Sequence, residues 1–132
     1  MIYLDANIFL YASLDDKEKG DKCRQILTKV SKEKLLGATS SLTWDEIVHS
    51  VWKNKGRDIA IIEGEIFLKF PKLKILQNTN NTIARAQQVI SKYNLKPRDA
   101  IHVATMLEFK ITEIISDDTD FDKVKEIKRI KI

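Results

Sequence analysis

Several of the 19 carboxylates in this 132-residue chain stand where apolar runs stop. Asp5 ends the run Ile2-Tyr3-Leu4, and Asp117, Asp118, Asp120 and Asp122 follow Ile114-Ile115-Ser116. Glu46 falls in the first turn of an amphipathic stretch that follows Ser40. Asp99 comes two residues after Pro97, and proline is favoured at the first position of a helix. Carboxylates gathered in one pocket repel each other, so their pKa values rise or a cation compensates them. With Cys23 as the single cysteine and no histidine in ligand spacing, the donors are all oxygen. That set selects hard ions, Mg²⁺ or Mn²⁺, over zinc. One or two such ions, held by a few carboxylates, take phosphate as a further ligand, and the chemistry that follows is phosphodiester hydrolysis.

All of these places but Asp5 also have an ordinary duty open to them. Glu46 completes a capping box, Thr43-Trp44-Asp45-Glu46, if it bonds back to the Thr43 amide. Asp99 suits the positive end of a helix dipole, and Asp118 and Asp120 suit a turn. Asp5 has no evident capping role at the end of so short an apolar run. Convergence of all four places on one edge is what tips the reading toward a site.

The elements must therefore bring distant stretches together. Residues 2–4 read as a buried strand, 6–13 as a short helix, and 17–34 as a helix with Cys23, Ile26, Leu27 and Val30 on one face. A second strand is expected within 35–40. A helix follows over 42–53, with Trp44, Ile47, Val48, Val51 and Trp52 inward and Gly56 ending it. The next helix, 59–70, carries Ile59, Ile62, Ile66 and Phe70 on one stripe and Ile61 and Leu68 on another. That pattern calls for burial on two sides, by the core and by another chain, and so for a homodimer. Residues 74–76 suit a third strand, and 82–92 a helix packed through Ile83, Ala86 and Ile90. A helix from Pro97 to about Phe109, a strand at 114–116 and an edge strand within 127–132 complete the chain. Short strands alternating with helices predict a single α/β domain over residues 1–132, a three-layer α/β/α sandwich on a mostly parallel sheet of four or five short strands. In such a sheet ligands bind outside the carboxyl ends of the strands. Asp5, Glu46, Asp99 and the Asp117–Asp122 group should all lie there.

Four stretches then match a family in order and spacing: Leu4-Asp5-Ala6-Asn7, Ser40-Ser41-Leu42 leading to Glu46, Arg98-Asp99-Ala100-Ile101-His102-Val103-Ala104, and Ser116-Asp117-Asp118-Thr119-Asp120-Phe121. Together they resemble the signatures of PIN-domain nucleases, most strongly the small stand-alone prokaryotic kind that includes VapC-type toxins of toxin–antitoxin pairs. The resemblance implies metal-dependent cleavage of RNA, leaving 5′-phosphate and 3′-hydroxyl ends. It implies that Asp5, Glu46 and Asp99 bind the catalytic Mg²⁺ or Mn²⁺ and that Asp118 is the fourth acid, with Asp120 as the later acid of that pattern. It further implies that Asn7, Ser40 or Ser41, and Ser116 support them, and that a small antitoxin protein is a partner. Which of Asp117, Asp118, Asp120 and Asp122 serves as the fourth ligand stays open in the sequence.

The remaining candidates are judged against plainer roles. His102, three residues after Asp99, reads as a helix histidine with a structural hydrogen bond, and His49 as an exposed one. Cys23 reads as core, and Trp44 and Trp52 as packing rather than base-stacking platforms. Among the basic residues, Arg98 and Lys96 flank Pro97 beside a presumed metal ligand and are expected to hold substrate phosphate, as is Lys53. The C-terminal group of Lys123, Lys125, Lys128, Arg129 and Lys131 reads as mostly a solvated face.

Composition sets the outer bounds. The chain is 43% hydrophobic and 32% charged, with 4 Gly and 2 Pro, so a packed core is expected rather than disorder or low complexity. No apolar run approaches the ~20 residues that cross a bilayer, and residues 1–5 lack the pattern of a signal peptide. A cytoplasmic setting with no membrane partner is expected. The net charge of +4 fits a polyanionic partner without requiring one. A phosphoacceptor receiver domain would need paired acids after the first strand and an aspartate near Leu76, and has neither. A non-catalytic RNA- or protein-binding module of the same fold remains the alternative, and the full acid set argues against it.

Overall fold

A computed structural model describes all 132 residues. The elements run β1 (Ile2–Leu4), α1 (Ala6–Leu14), α2 (Glu18–Ser31), β2 (Gly37–Ser40), α3 (Leu42–Lys55), α4 (Arg57–Leu68), β3 (Lys74–Leu76), α5 (Asn80–Lys92), α6 (Pro97–Glu108), β4 (Glu113–Ile115) and β5 (Lys128–Ile130). A 3-10 turn covers Thr119–Lys123. The five strands form one sheet in the order β3-β2-β1-β4-β5, and every pairing is parallel. The sheet is thus wholly rather than mostly parallel.

Strand alternation splits the core in two. Ile2 and Leu4 of β1 and Ile115 of β4 pack with α1, α2, α3 and α4 through Ile8, Cys23, Val30, Ile47, Val51 and Phe67. Tyr3 and Ile114 point the other way, into a core with Ala86 and Val89 of α5 and Val103 and Met106 of α6. Helices covering both faces is what an all-parallel sheet of short, doubly buried strands requires. No helix is long and apolar enough to cross a membrane.

Three expectations about helix faces are overturned. On α4 the buried residues are Ala60, Gly64 and Phe67, while Ile59, Ile61, Ile62, Ile66 and Leu68 are each 43–59% exposed. The Ile59–Ile62–Ile66 stripe therefore does not face the core. Trp44 and Trp52 are 42% and 51% exposed rather than inward. On α5, Ile83 and Ile90 are exposed, and Thr82, Ala86 and Val89 are buried. Apart from Phe67, smaller side chains than those expected took the inner faces. An added Cβ at Gly64 would lie 3.0 Å from Trp44 Nε1 and Val48 Cγ2, so α3 and α4 approach too closely there for a larger residue. Gly56, at φ 92°, makes the reversal between those two helices in a region that favours glycine.

Candidate active site

β1 runs to β2 and β3 on one side of the sheet, and the chain then crosses back to β4 and β5 on the other. The order therefore reverses beside β1, and a crevice opens at the carboxyl end of β1 and β4. Asp5 stands at that end of β1, and Ser116 with the loop behind it at that end of β4. α3 and α6 present their first turns to the same edge, because each packs antiparallel to a strand. A cavity of about 570 Å³ lies there, lined by Asp5, Asn7, Glu46, Lys96, Pro97, Arg98, Asp99, Asp118 and Asp120. Five of those nine residues are acids. The four separate chain positions do meet.

The acids are held differently. Asp5 is 6% exposed and occupies the N-cap position of α1, yet makes no side-chain capping bond. Its Oδ2 instead accepts a 2.6 Å hydrogen bond from Ser116 Oγ. Burial pushes its carboxyl above the ordinary range, partly opposed by that bond. Ser116 Oγ in turn accepts from the Asp118 backbone N–H at 3.0 Å, so one buried hydroxyl ties the end of β1 to the loop after β4. Asp118 accepts from the Asp120 N–H at 2.9 Å, which caps the 3-10 turn and leaves the carboxylate at the cavity. Carboxylate oxygens of Asp99, Asp118 and Asp120 all lie within 4.8 Å of one another. Burial, then the Asp118 charge, push Asp99 up to about 6.

Glu46 does not form the capping box open to it in the sequence. Thr43 is buried, and its hydroxyl pairs with Thr39 Oγ1 at 2.6 Å. Glu46 Oε1 instead meets His102 Nε2 across the carboxyl edge of the sheet. The end of α3 is served by other groups: the Leu42 N–H donates to Ser40 Oγ at 3.1 Å and to Asn78 Oδ1 at 3.0 Å. Ser40 thus positions the helix that carries Glu46, and does not line the cavity itself.

The acids left open after β4 separate by partner. Asp117 turns away, paired with Lys19 and accepting from the Ile132 N–H. Asp122 is held by Arg129 through two hydrogen bonds, at 2.9 and 3.0 Å. Only Asp118 and Asp120 face the cavity, Asp120 with Lys123 Nζ at 3.1 Å. Among the basic candidates, Lys96 and Arg98 line the rim, Arg98 with Asp45 at 3.5 Å. Lys53 does not; it borders a separate shallow cleft on α3 with Trp44, His49 and Trp52.

Two contributors were not singled out in the sequence. Tyr3 reads there as one member of an apolar strand, and only its odd place in the strand alternation signals that it faces α6. Arg129 was grouped with a solvated basic face, yet its guanidinium also donates to the Ser116 carbonyl at 3.0 Å. No local pattern announces a contact made across two parallel strands.

The chain matches the family model described as "PIN domain" over residues 2–127. It is 24% identical over 147 residues to ribonuclease VapC2 of Methanocaldococcus jannaschii, covering 99% of this chain and 93% of that protein. VapBC2 from Rickettsia felis, solved bound to a DNA fragment from its promoter, shares the fold with a TM-score of 0.77 at 18% identity, over 99% of this chain and 98% of that one. VapC20 of Mycobacterium tuberculosis, a toxin that cleaves the sarcin–ricin loop, superposes with a TM-score of 0.77 at 15% identity, over 92% and 93% of the two chains. The acids at the β1/β4 crevice, the all-parallel sheet that gathers them and the match over nearly every residue agree: the chain belongs to the PIN domain family.

Proposed function

We propose that this chain is a divalent-metal-dependent endoribonuclease, one nuclease domain acting in the cytoplasm as the toxin of a toxin–antitoxin pair. The observation that carries the reading is the cavity at the sheet's reversal point, where five acids from four chain positions stand beside two cations. The donor set fits a hard cation: every acid offers oxygen, and the burial and neighbouring carboxylates that push Asp99 up to about 6 disfavour a charge that a bound cation would compensate. Asp99, Asp118 and Asp120 would hold Mg²⁺ or Mn²⁺, with Asp5 and Glu46 completing the set. When bound, such an ion supplies Lewis acidity to a phosphodiester oxygen and lowers the pKa of water. The chain's own part is to place the reactants. Ser116 fixes Asp5 and the Asp118 loop in one register. Arg98 and Lys96 at the rim bind substrate phosphate, and Asn7 adds a neutral polar group between the acids. The similarity to ribonuclease VapC2, and the VapBC complexes among the structural neighbours, support RNA as substrate and an antitoxin as partner. The exposed Trp44 and Trp52 of α3 and isoleucines of α4 support a homodimer. A non-catalytic module is not favoured, because all four acid positions are kept.

The test is cleavage of a defined RNA with Mn²⁺ or with EDTA, by the wild-type chain and by Asp5→Asn and Asp99→Asn. Cleavage by the wild type with Mn²⁺ only, falling at least a hundredfold in either variant while the far-ultraviolet circular dichroism is unchanged, is the expected result. Undiminished cleavage by Asp99→Asn, in a preparation shown free of host nuclease, overturns it.

A further inference from the structure

Behind the cavity wall runs a buried polar chain that links all three layers. Tyr3 and His102 are each 0% exposed. The alternation of β1 sends Tyr3 toward α6, where its ring meets the His102 imidazole edge-on, the centroids 5.6 Å apart. Tyr3 Oη lies 2.6 Å from His102 Nδ1. The opposite ring nitrogen, Nε2, meets Glu46 Oε1 from the far side of the sheet. A carboxylate can only accept, so Nε2 carries a proton and donates it into that bond. In the neutral ring the Tyr3 hydroxyl donates to Nδ1, which leaves the ring proton on Nε2, facing Glu46.

Packing alone does not explain this arrangement. An apolar residue of similar volume would fill the same space without the cost of desolvating an imidazole and a phenol. What the chain does accomplish is visible at Glu46. That side chain makes no hydrogen bond or ion pair other than the one to His102. Glutamate is among the side chains with the most conformational freedom to lose on ordering. Without His102 nothing fixes where the carboxylate sits at the cavity wall.

We propose that His102 is a positioning residue for the metal site: its Nε2–H fixes the Glu46 carboxylate, and the Tyr3 hydroxyl fixes which ring nitrogen carries the proton. The proposal rests on reading the cavity as a divalent-metal site. Groups outside a metal's ligands commonly change metal affinity ten- to a hundredfold when removed, because they orient those ligands.

Calorimetric titration of the apo protein with Mn²⁺, together with apo melting temperatures, tests it in five proteins: wild type, Asp99→Asn, His102→Leu, His102→Gln and Tyr3→Phe. Glutamine keeps an amide N–H near the place of Nε2, whereas leucine keeps only volume. His102→Leu should weaken Mn²⁺ binding about tenfold, His102→Gln should recover to within about threefold of wild type, and Tyr3→Phe should fall between them. Recovery by glutamine is the reading that a purely structural role would not move. Equal weakening by leucine and glutamine, or wild-type affinity in His102→Leu and Tyr3→Phe, overturns the proposal and leaves the metal site standing. Wild-type protein that binds no Mn²⁺, or Asp99→Asn that binds as well as wild type, overturns the metal site and the proposal together. If His102→Leu does not fold, Tyr3→Phe and His102→Gln decide: wild-type affinity in Tyr3→Phe, or a tenfold loss in His102→Gln, counts against the proposal.

Discussion

At Asp99 the proposed metal site and the stability of the fold pull in opposite directions. Its carboxyl is pushed up to about 6 by burial and by the neighbouring acids, so the folded apo protein prefers it protonated. The unfolded chain releases that proton near the ordinary aspartate value of 3.8. Stability from this group is therefore greatest below pH 4 and is lost as pH rises through 6. Asp117 and Asp122 shift downward, and their contribution is lost only as pH falls below the ordinary carboxylate range, a separate window. Asp5, which burial also pushes up, adds a loss of the same sign; between pH 4.5 and 7 the apo protein should accordingly lose melting temperature, and Asp99→Asn should remove part of that loss. Discounted for solvent screening, the variant should gain about 1 kcal/mol at neutral pH, a few degrees at this chain length. Mn²⁺ reverses the balance: it should raise the melting temperature of the wild type more at pH 7 than at pH 5, because it competes with the proton. Scanning calorimetry at four pH values, with and without Mn²⁺, reads all three. An apo melting temperature that rises across that window contradicts the assignment.

At the scale of elements, the loop after β4 decides which acids reach the cavity. Arg129 of β5 grips Asp122 through Nε and Nη2 and the Ser116 carbonyl through Nη1, and so sets the path of residues 116–122. Arg129→Ala should lower the melting temperature by a few degrees and weaken Mn²⁺ binding several-fold, since Asp118 and Asp120 ride on that segment. Wild-type affinity with a lowered melting temperature would show that the loop holds its acids without Arg129. The order and type of the elements were readable from apolar spacing and from Gly56 and Pro97. So was the meeting of Asp5, Glu46, Asp99 and Asp118, because alternating strands and helices leave one edge for all of them. The inner faces of α4 and α5 were not readable. Hydrophobicity reports what leaves water, whereas Ala60, Gly64 and Thr82 are buried because neighbouring elements come close there. The partners of Glu46 and Asp122 were hidden for a related reason. Each lies on an element far away in sequence, His102 on α6 and Arg129 on β5, and local patterns carry no record of it.

For the whole molecule, the same correction moves the apolar surface outward. Isoleucines expected to fill the core stand on the outside of α4, and Trp44 and Trp52 on the outside of α3, in a chain of 132 residues whose net charge is only +4. Scattered exposed apolar residues are ordinary, but so many large ones on two consecutive helices call for cover. In the proposed homodimer a second copy would supply it with its own equivalent face, and a two-fold contact counts each residue twice. Burying one isoleucine side chain is worth about 1.5–3 kcal/mol. Ile62→Glu, placed twice in the interface, should cost about 3 kcal/mol or more, at least a hundredfold in dimer dissociation constant. Ile62 is 53% exposed, so the monomer should fold unchanged. Sedimentation equilibrium from 1 to 100 μM should give a dimer for the wild type and a monomer for Ile62→Glu and Trp52→Glu, with Mn²⁺ affinity per chain preserved in both. A wild-type chain that sediments as a monomer throughout that range rules out self-association as the cover, and leaves the proposed antitoxin to supply it.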